Sequence, residues 1–203
     1  KNYSIKSSIS FFKSYKNKRE FLAYLADGFK SGNFELFWPL FIFILIPSYV
    51  VLGSITTIVI MVSIILTLII GQIIDKYGPN KFLKMGAYGE ASSWGLKVAL
   101  WILATVTSFH ILVISITNQI TGIFLGISMN KIVLDHADHK NKIVEFLFLQ
   151  KFIRQIGSSL PFIIFAIIAI FLKNPEQIII ISFILMGLAT LTFPFILDKR
   201  KKN

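Results

Sequence analysis

The sequence predicts an all-α integral membrane protein with six transmembrane helices, on three observations. Of 203 residues, 55% are hydrophobic and only 15% charged, with a mean hydropathy of +0.72, too apolar for a water-soluble domain of this size. Six runs are long enough to cross a bilayer, since about 20 apolar residues rising about 1.5 Å each span a hydrocarbon core of roughly 30 Å. Turn-forming residues separate the runs. The composition also excludes a disordered chain, and no regular period suggests a solenoid. The absence of cysteine removes disulfides, thiol chemistry and cysteine-held zinc or iron–sulfur sites.

Residues 1–20 are basic and polar, with Ile5, Ile9 and Phe12 at helical spacing. They fit an amphipathic lead-in on the cytoplasmic surface and do not read as a signal peptide. The chain opens on lysine, and a piece of a longer protein is expected. The transmembrane domain, 21–198, comprises helices at Phe21–Leu45, Tyr49–Ile70, Phe82–Thr105, Ile111–Val133, Ile143–Leu172 and Gln177–Leu197. Ile46-Pro47-Ser48 breaks the first pair, Lys76–Asn80 the second, Ser108-Phe109-His110 the third, Asp135–Asn141 the fourth and Lys173–Glu176 the fifth. Residues 199–203 form a short basic tail.

The net charge of +11 would suggest nucleic acid in a soluble protein, but position argues otherwise. Sixteen of the 21 cations flank the helices on one side, Lys173 alone flanks them on the other, and Lys30, Lys97, Lys151 and Arg154 fall inside the runs. The positive-inside rule then places both termini in the cytoplasm of a cell-membrane protein, with the basic flanks against anionic lipid and no nucleic-acid partner.

Between the second and third helices lies Gly71-Gln72-Ile73-Ile74-Asp75-Lys76-Tyr77-Gly78-Pro79-Asn80-Lys81. Gly71 suits close helix approach, Gly78 a tight reversal, and Asp75 a charge pair at the membrane edge. The segment resembles the cytoplasmic loop signature of the major facilitator superfamily, with Gly71, Asp75, Lys76, Gly78 and Lys81 at matching places; Pro79-Asn80 replaces the family's adjacent basic pair. Glu145, Arg154, Gly157 and Pro161 give a weaker echo in the fifth helix. The resemblance implies one half, the C-terminal half favoured, of a transporter built from two six-helix halves, each a 3+3 inverted repeat. Asp75 is then half of a gating latch.

Charges within the membrane cost roughly 2.5–3.5 kcal/mol on insertion scales, so each needs a purpose. Asp27 and Lys30 sit one turn apart and can pair. Glu35 lies near mid-span, four residues before Pro39. The resemblance puts the first and fourth helices around a central cavity, which makes Glu35 the candidate proton- or substrate-coupling carboxylate and Asn33, Asn118 and Gln119 the polar cavity groups. Glu90, Trp94 and Lys97 share one face, with Glu90 and Lys97 too far apart for a direct pair; Lys97 either finds a partner elsewhere or snorkels outward. Arg154 is suited to clamp an anionic group or to hold Asp75 or Glu35. Gly122 and Gly126 read as close-packing residues.

The expected partners are a small solute, a proton if Glu35 couples, membrane lipid, and a second six-helix half from the same parent chain or another copy. Asp135-His136-Ala137-Asp138-His139 has metal-like spacing but falls in a polar loop, and no metal or cofactor is expected. Nothing in the sequence arranges a nucleophile, phosphate loop or nucleotide fingerprint, so no enzyme is expected. The alternative is a six-helix channel or membrane scaffold without alternating access.

Overall fold

A computed structural model describes the backbone of residues 18–103, 105–138, 143–172 and 174–198, and the side chains within 21–103, 105–135, 147–172 and 174–196. The lead-in helix expected in residues 1–17, the basic tail and the side chains of Glu145 and both loop histidines lie outside these ranges. The described residues form six helices: α1 Lys18–Leu45, α2 Tyr49–Tyr77, α3 Pro79–Ile102, α4 Ser108–Asp138, α5 Ile143–Phe171 and α6 Pro175–Asp198.

Local chemistry sets several of the ends. Ser48 caps α2, its Oγ accepting from the Val51 amide at 3.3 Å. Asn174 Oδ1 accepts from the Glu176 amide at 2.9 Å, and Pro175 opens α6 where its missing N–H costs nothing. Three expected breaks are helical instead. α2 continues through the whole of Gly71–Tyr77, α4 continues through Asp135 to Asp138, and α4 already begins at Ser108, so that Ser108-Phe109-His110 is its first turn and the chain reverses just before it; a helix leaving an apolar layer keeps its own hydrogen bonds and gains water for its polar side chains. Gly78 alone turns α2 into α3, at φ 83 and ψ 153, a conformation essentially confined to glycine.

Neighbours in sequence touch little. The extensive contacts join α1 to α5 and α3 to α4, followed by α3 to α6, α2 to α4 and α1 to α6. Glycines set the two tightest seams. A Cβ on Gly28, Gly32 or Gly157 would come within 3.0 Å of a backbone oxygen across the α1–α5 seam, that of Arg154, Ser158 and Leu25 respectively. Gly86 meets the Leu125 backbone in the same way between α3 and α4. The expected close packers are corrected: Gly71 and Gly126 have nothing within 4 Å of a Cβ position, and Gly122 has only Glu90 Oε1 at 3.9 Å.

Four helices, α2 and the stretches Ser108–Asp135, Leu147–Phe171 and Pro175–Ile196, are long and apolar enough to cross a membrane. Along α2 the large side chains Ile60, Met61, Ile64, Ile65 and Leu68 are exposed, an arrangement that needs lipid as solvent. The chain is a multi-pass helical membrane protein. α1 and α3 fall short of that apolarity because they carry Lys30, Asn33 and Glu35, and Glu90, Ser93 and Lys97. All of these except Glu35 are buried among the other helices.

Two apolar clusters bracket this polar material. One gathers Tyr24 of α1, Leu83 and Ala87 of α3, Leu125 and Met129 of α4, Ile153 of α5 and Phe193 of α6. The other gathers Phe37, Trp38 and Phe41 of α1, Trp94 and Leu100 of α3, Ile111 and Ile114 of α4, Phe165 of α5 and Phe183 and Met186 of α6. Between them along the helices lie the buried Asp27, Lys30, Asn33, Glu90, Ser93, Ser115, Asn118 and Thr190.

Candidate functional site

Three buried charges, Asp27, Lys30 and Glu90, and the half-exposed Arg154 close on one another. Lys30 Nζ lies 3.0 Å from Glu90 Oε2 and 3.4 Å from Asp27 Oδ1, and Arg154 Nε lies 3.1 Å from Asp27 Oδ2. Arg154 also donates to Ser31 Oγ at 3.1 Å. Two cations and two carboxylates thus form a neutral chain tying α1 to α3 and α5. Within a low-dielectric layer such a chain is tolerated because each charge has an opposite partner. Arg154 therefore serves Asp27 and Ser31, and neither Glu35 nor Asp75.

Lys97 is held differently. It is fully buried, so it does not snorkel outward, and no carboxylate among the described residues comes within ion-pair range. Its ammonium instead sits 3.5 Å from the ring centre of Trp94, 4.7 Å from that of Trp38 and 4.8 Å from that of Phe34. Ring faces carry negative quadrupolar potential and hold such a cation without a counter-ion. The Lys97 Nζ donates to Asn118 Oδ1 at 2.6 Å, and the single Ser93 hydroxyl hydrogen is shared between the same oxygen at 2.7 Å and the Glu90 carbonyl at 2.8 Å. The lysine contact sets which way the Asn118 amide faces.

Beside this group is a cavity of ≈ 220 Å³ lined by Lys30, Ser31, Phe34, Glu35, Glu90, Asn118, Gln119, Gly122 and Ile123. α1, α3 and α4 bring together three of the expected site residues, Glu35, Asn118 and Gln119. Glu35 is exposed at this cavity and makes no ion pair or hydrogen bond among the described residues. Pro39 lies inside α1 four residues later; having no N–H, it leaves the Glu35 carbonyl without its helical partner. Asn33, the fourth expected cavity group, does not line this cavity. It is 1% exposed, its Nδ2 donates to the Phe29 carbonyl at 3.0 Å, and its Oδ1 is buried without a partner, away from the cavity.

No family model, curated protein or solved structure matches this chain.

At the end of the bundle where α2 and α4 finish, Asp75 Oδ1 accepts from Lys131 Nζ. The pair is accessible, with the Asp75 side chain 72% exposed, so it adds little to stability. Gly71 and Asp75 line a shallow groove there with Asn130, Lys131 and Asp135. Lys76 turns to the ring of Tyr77 at 5.3 Å, and Lys81 is exposed. Among the described residues no cluster of three or more His, Asp or Glu side chains suits a metal.

Sequence reasoning found Glu90 and Lys97 on one face but not their partners. Lys30 and Glu90 are sixty residues apart, and no local spacing reports such a pair. The Gly28-x-x-x-Gly32 spacing was a readable signal for a close helix seam.

Proposed function

We propose that this chain is one six-helix half of a major-facilitator-type secondary transporter, moving a small solute across the cell membrane by alternating access. The observation that carries the reading is the cavity itself: a carboxylate without an ion-pair partner among the described residues, Glu35, beside the amides of Asn118 and Gln119, in a polar layer between the two apolar clusters of the bundle. A polar cavity bounded by α1 and α4 is where such a half meets its solute.

The packing order supports it. Exchanging the first three helices for the last three converts α1–α5 into α4–α2 and α3–α4 into α6–α1, and returns α3–α6 to itself, so the set of extensive contacts is unchanged. With three crossings per unit, the second unit runs in the opposite direction through the membrane, the relation expected of an inverted repeat. Packing follows α2–α4–α3–α6–α1–α5, with no extensive contact among the described residues returning from α5 to α2. An open row of this kind suits a half that meets another half better than a pore closed about its own axis.

In this reading all six helices span, α1 and α3 shielded by their neighbours, and both ends are cytoplasmic. Glu35 meets the solute or its coupling proton. Asp75 with Lys131 is the latch between α2 and α4, supplying the cation that the turn after Gly78 lacks. The topology has a direct test. Cysteines placed singly at Ser48, Ser108 and Asn174 should react with an impermeant reagent from outside intact cells, and those at Asn80 and Asn141 only after the membrane is opened. The reverse pattern would overturn the orientation, and a mixed pattern the six crossings.

A further inference from the structure

Taking the cavity as the solute site, we propose that it is built for a small organic ammonium ion that also carries a hydrogen-bond acceptor. Charge accounting leads there. Three charged side chains line the cavity, Lys30, Glu35 and Glu90. Lys30 is shared between Glu90 and Asp27, and Asp27 is completed by Arg154, so these four cancel. The other buried cation, Lys97, is enclosed by the rings of Trp94, Trp38 and Phe34 and turned toward an amide oxygen. Glu35 is left as the uncompensated charge at the cavity. An anion entering here meets two carboxylates and a lysine already spent on its own partners. A cation meets a free carboxylate, and the Phe34 ring also lines the space.

Asn118 supplies the second half of the recognition. It is 5% exposed and lines the cavity. Its oxygen is taken by Lys97 and Ser93, so an amide reversed about its axis would turn its NH2 against an ammonium. What it has left to offer is Nδ2, a donor, for which a ligand needs an acceptor. Lys97 thus acts as a positioning residue: its hydrogen bond to the Asn118 oxygen fixes which face of Asn118 the ligand encounters.

The test uses the full chain in detergent and three probes: acetylcholine, its tert-butyl analogue in which carbon replaces the quaternary nitrogen, and acetate. Titration calorimetry should show saturable binding of acetylcholine. Binding should weaken on the order of tenfold or more in Glu35→Gln, largely return in Glu35→Asp, and be absent for the other two probes. Glu35 is exposed and unpaired among the described residues, so Glu35→Gln should melt like the parent. Equal binding of the tert-butyl analogue, or acetylcholine binding indifferent to Glu35→Gln, overturns the cation inference. If the analogue or acetate binds and Gln119→Ala abolishes that binding, the cavity remains a solute site of another class. Should no probe bind, or should binding ignore both Glu35→Gln and Gln119→Ala, the inference and the solute-site reading fall together.

Discussion

Lys30→Met is expected to abolish most of the folded yield of this protein. Lys30 stands between Glu90 at 3.0 Å and Asp27 at 3.4 Å in a layer closed on either side by apolar clusters. Removing it strands two carboxylates, of which Arg154 can neutralise only Asp27. Breaking one partner from a buried pair costs about 3–5 kcal/mol, a large share of the 5–15 kcal/mol that holds a typical domain together. The double change Lys30→Met with Glu90→Met should recover much of the loss, because the Asp27–Arg154 pair survives and no carboxylate is left alone. Size-exclusion profiles and melting temperatures of the four proteins complete the cycle. Independent, additive losses would mean that the two side chains do not hold each other.

The second large effect concerns the seam between α1 and α5. Gly28→Ala and Gly157→Ala each push a methyl group into a backbone oxygen of the facing helix, which cannot move aside as a flexible side chain does. The helices must separate, at a cost of about 1–3 kcal/mol or more from overpacking, and separation also pulls Asp27 away from Arg154. Gly71→Ala and Gly126→Ala meet open space and should be neutral or gain up to about 1 kcal/mol from helix propensity. Melting curves in one detergent separate the two pairs. A stable Gly28→Ala protein would contradict the close seam.

That contrast shows what the sequence could and could not reveal. Six apolar runs and their Pro, Gly and Asn breaks located every helix, since the length of a span and the chemistry of a turn are local properties. The ends of α2 and α4 were missed because a helix does not stop at the membrane edge: Gln72 and Asp75 are as content on a helix in water as in a loop. Which glycine lies in a seam depends on which helices face each other, and the facing pairs here, α1 with α5 and α3 with α4, include one far apart in sequence. For the same reason the sequence alone does not show that Glu35, Asn118 and Gln119 line one cavity while Asn33, two positions from Glu35, does not. The ring enclosure of Lys97 draws Phe34 and Trp38 from α1 and Trp94 from α3, and no spacing along one helix announces it.

Alternating access is the central claim, and the most direct measurement of it is the sidedness of the cavity. A single cysteine at Gln119, which lines the cavity beside Asn118, is placed in the full chain reconstituted in vesicles and challenged with an impermeant thiol reagent from each side in turn. A transporter half at work with its partner exposes this position to one side at a time. Reaction from the two faces should then be mutually exclusive in rate, and Asp75→Asn, by releasing Lys131 and the end of α4, should speed one face while slowing the other, on the order of fivefold for a shift of about 1 kcal/mol. Simultaneous fast labelling from both faces, unchanged by Asp75→Asn, would contradict the account and describe an open pore, and labelling from neither face would describe a closed scaffold.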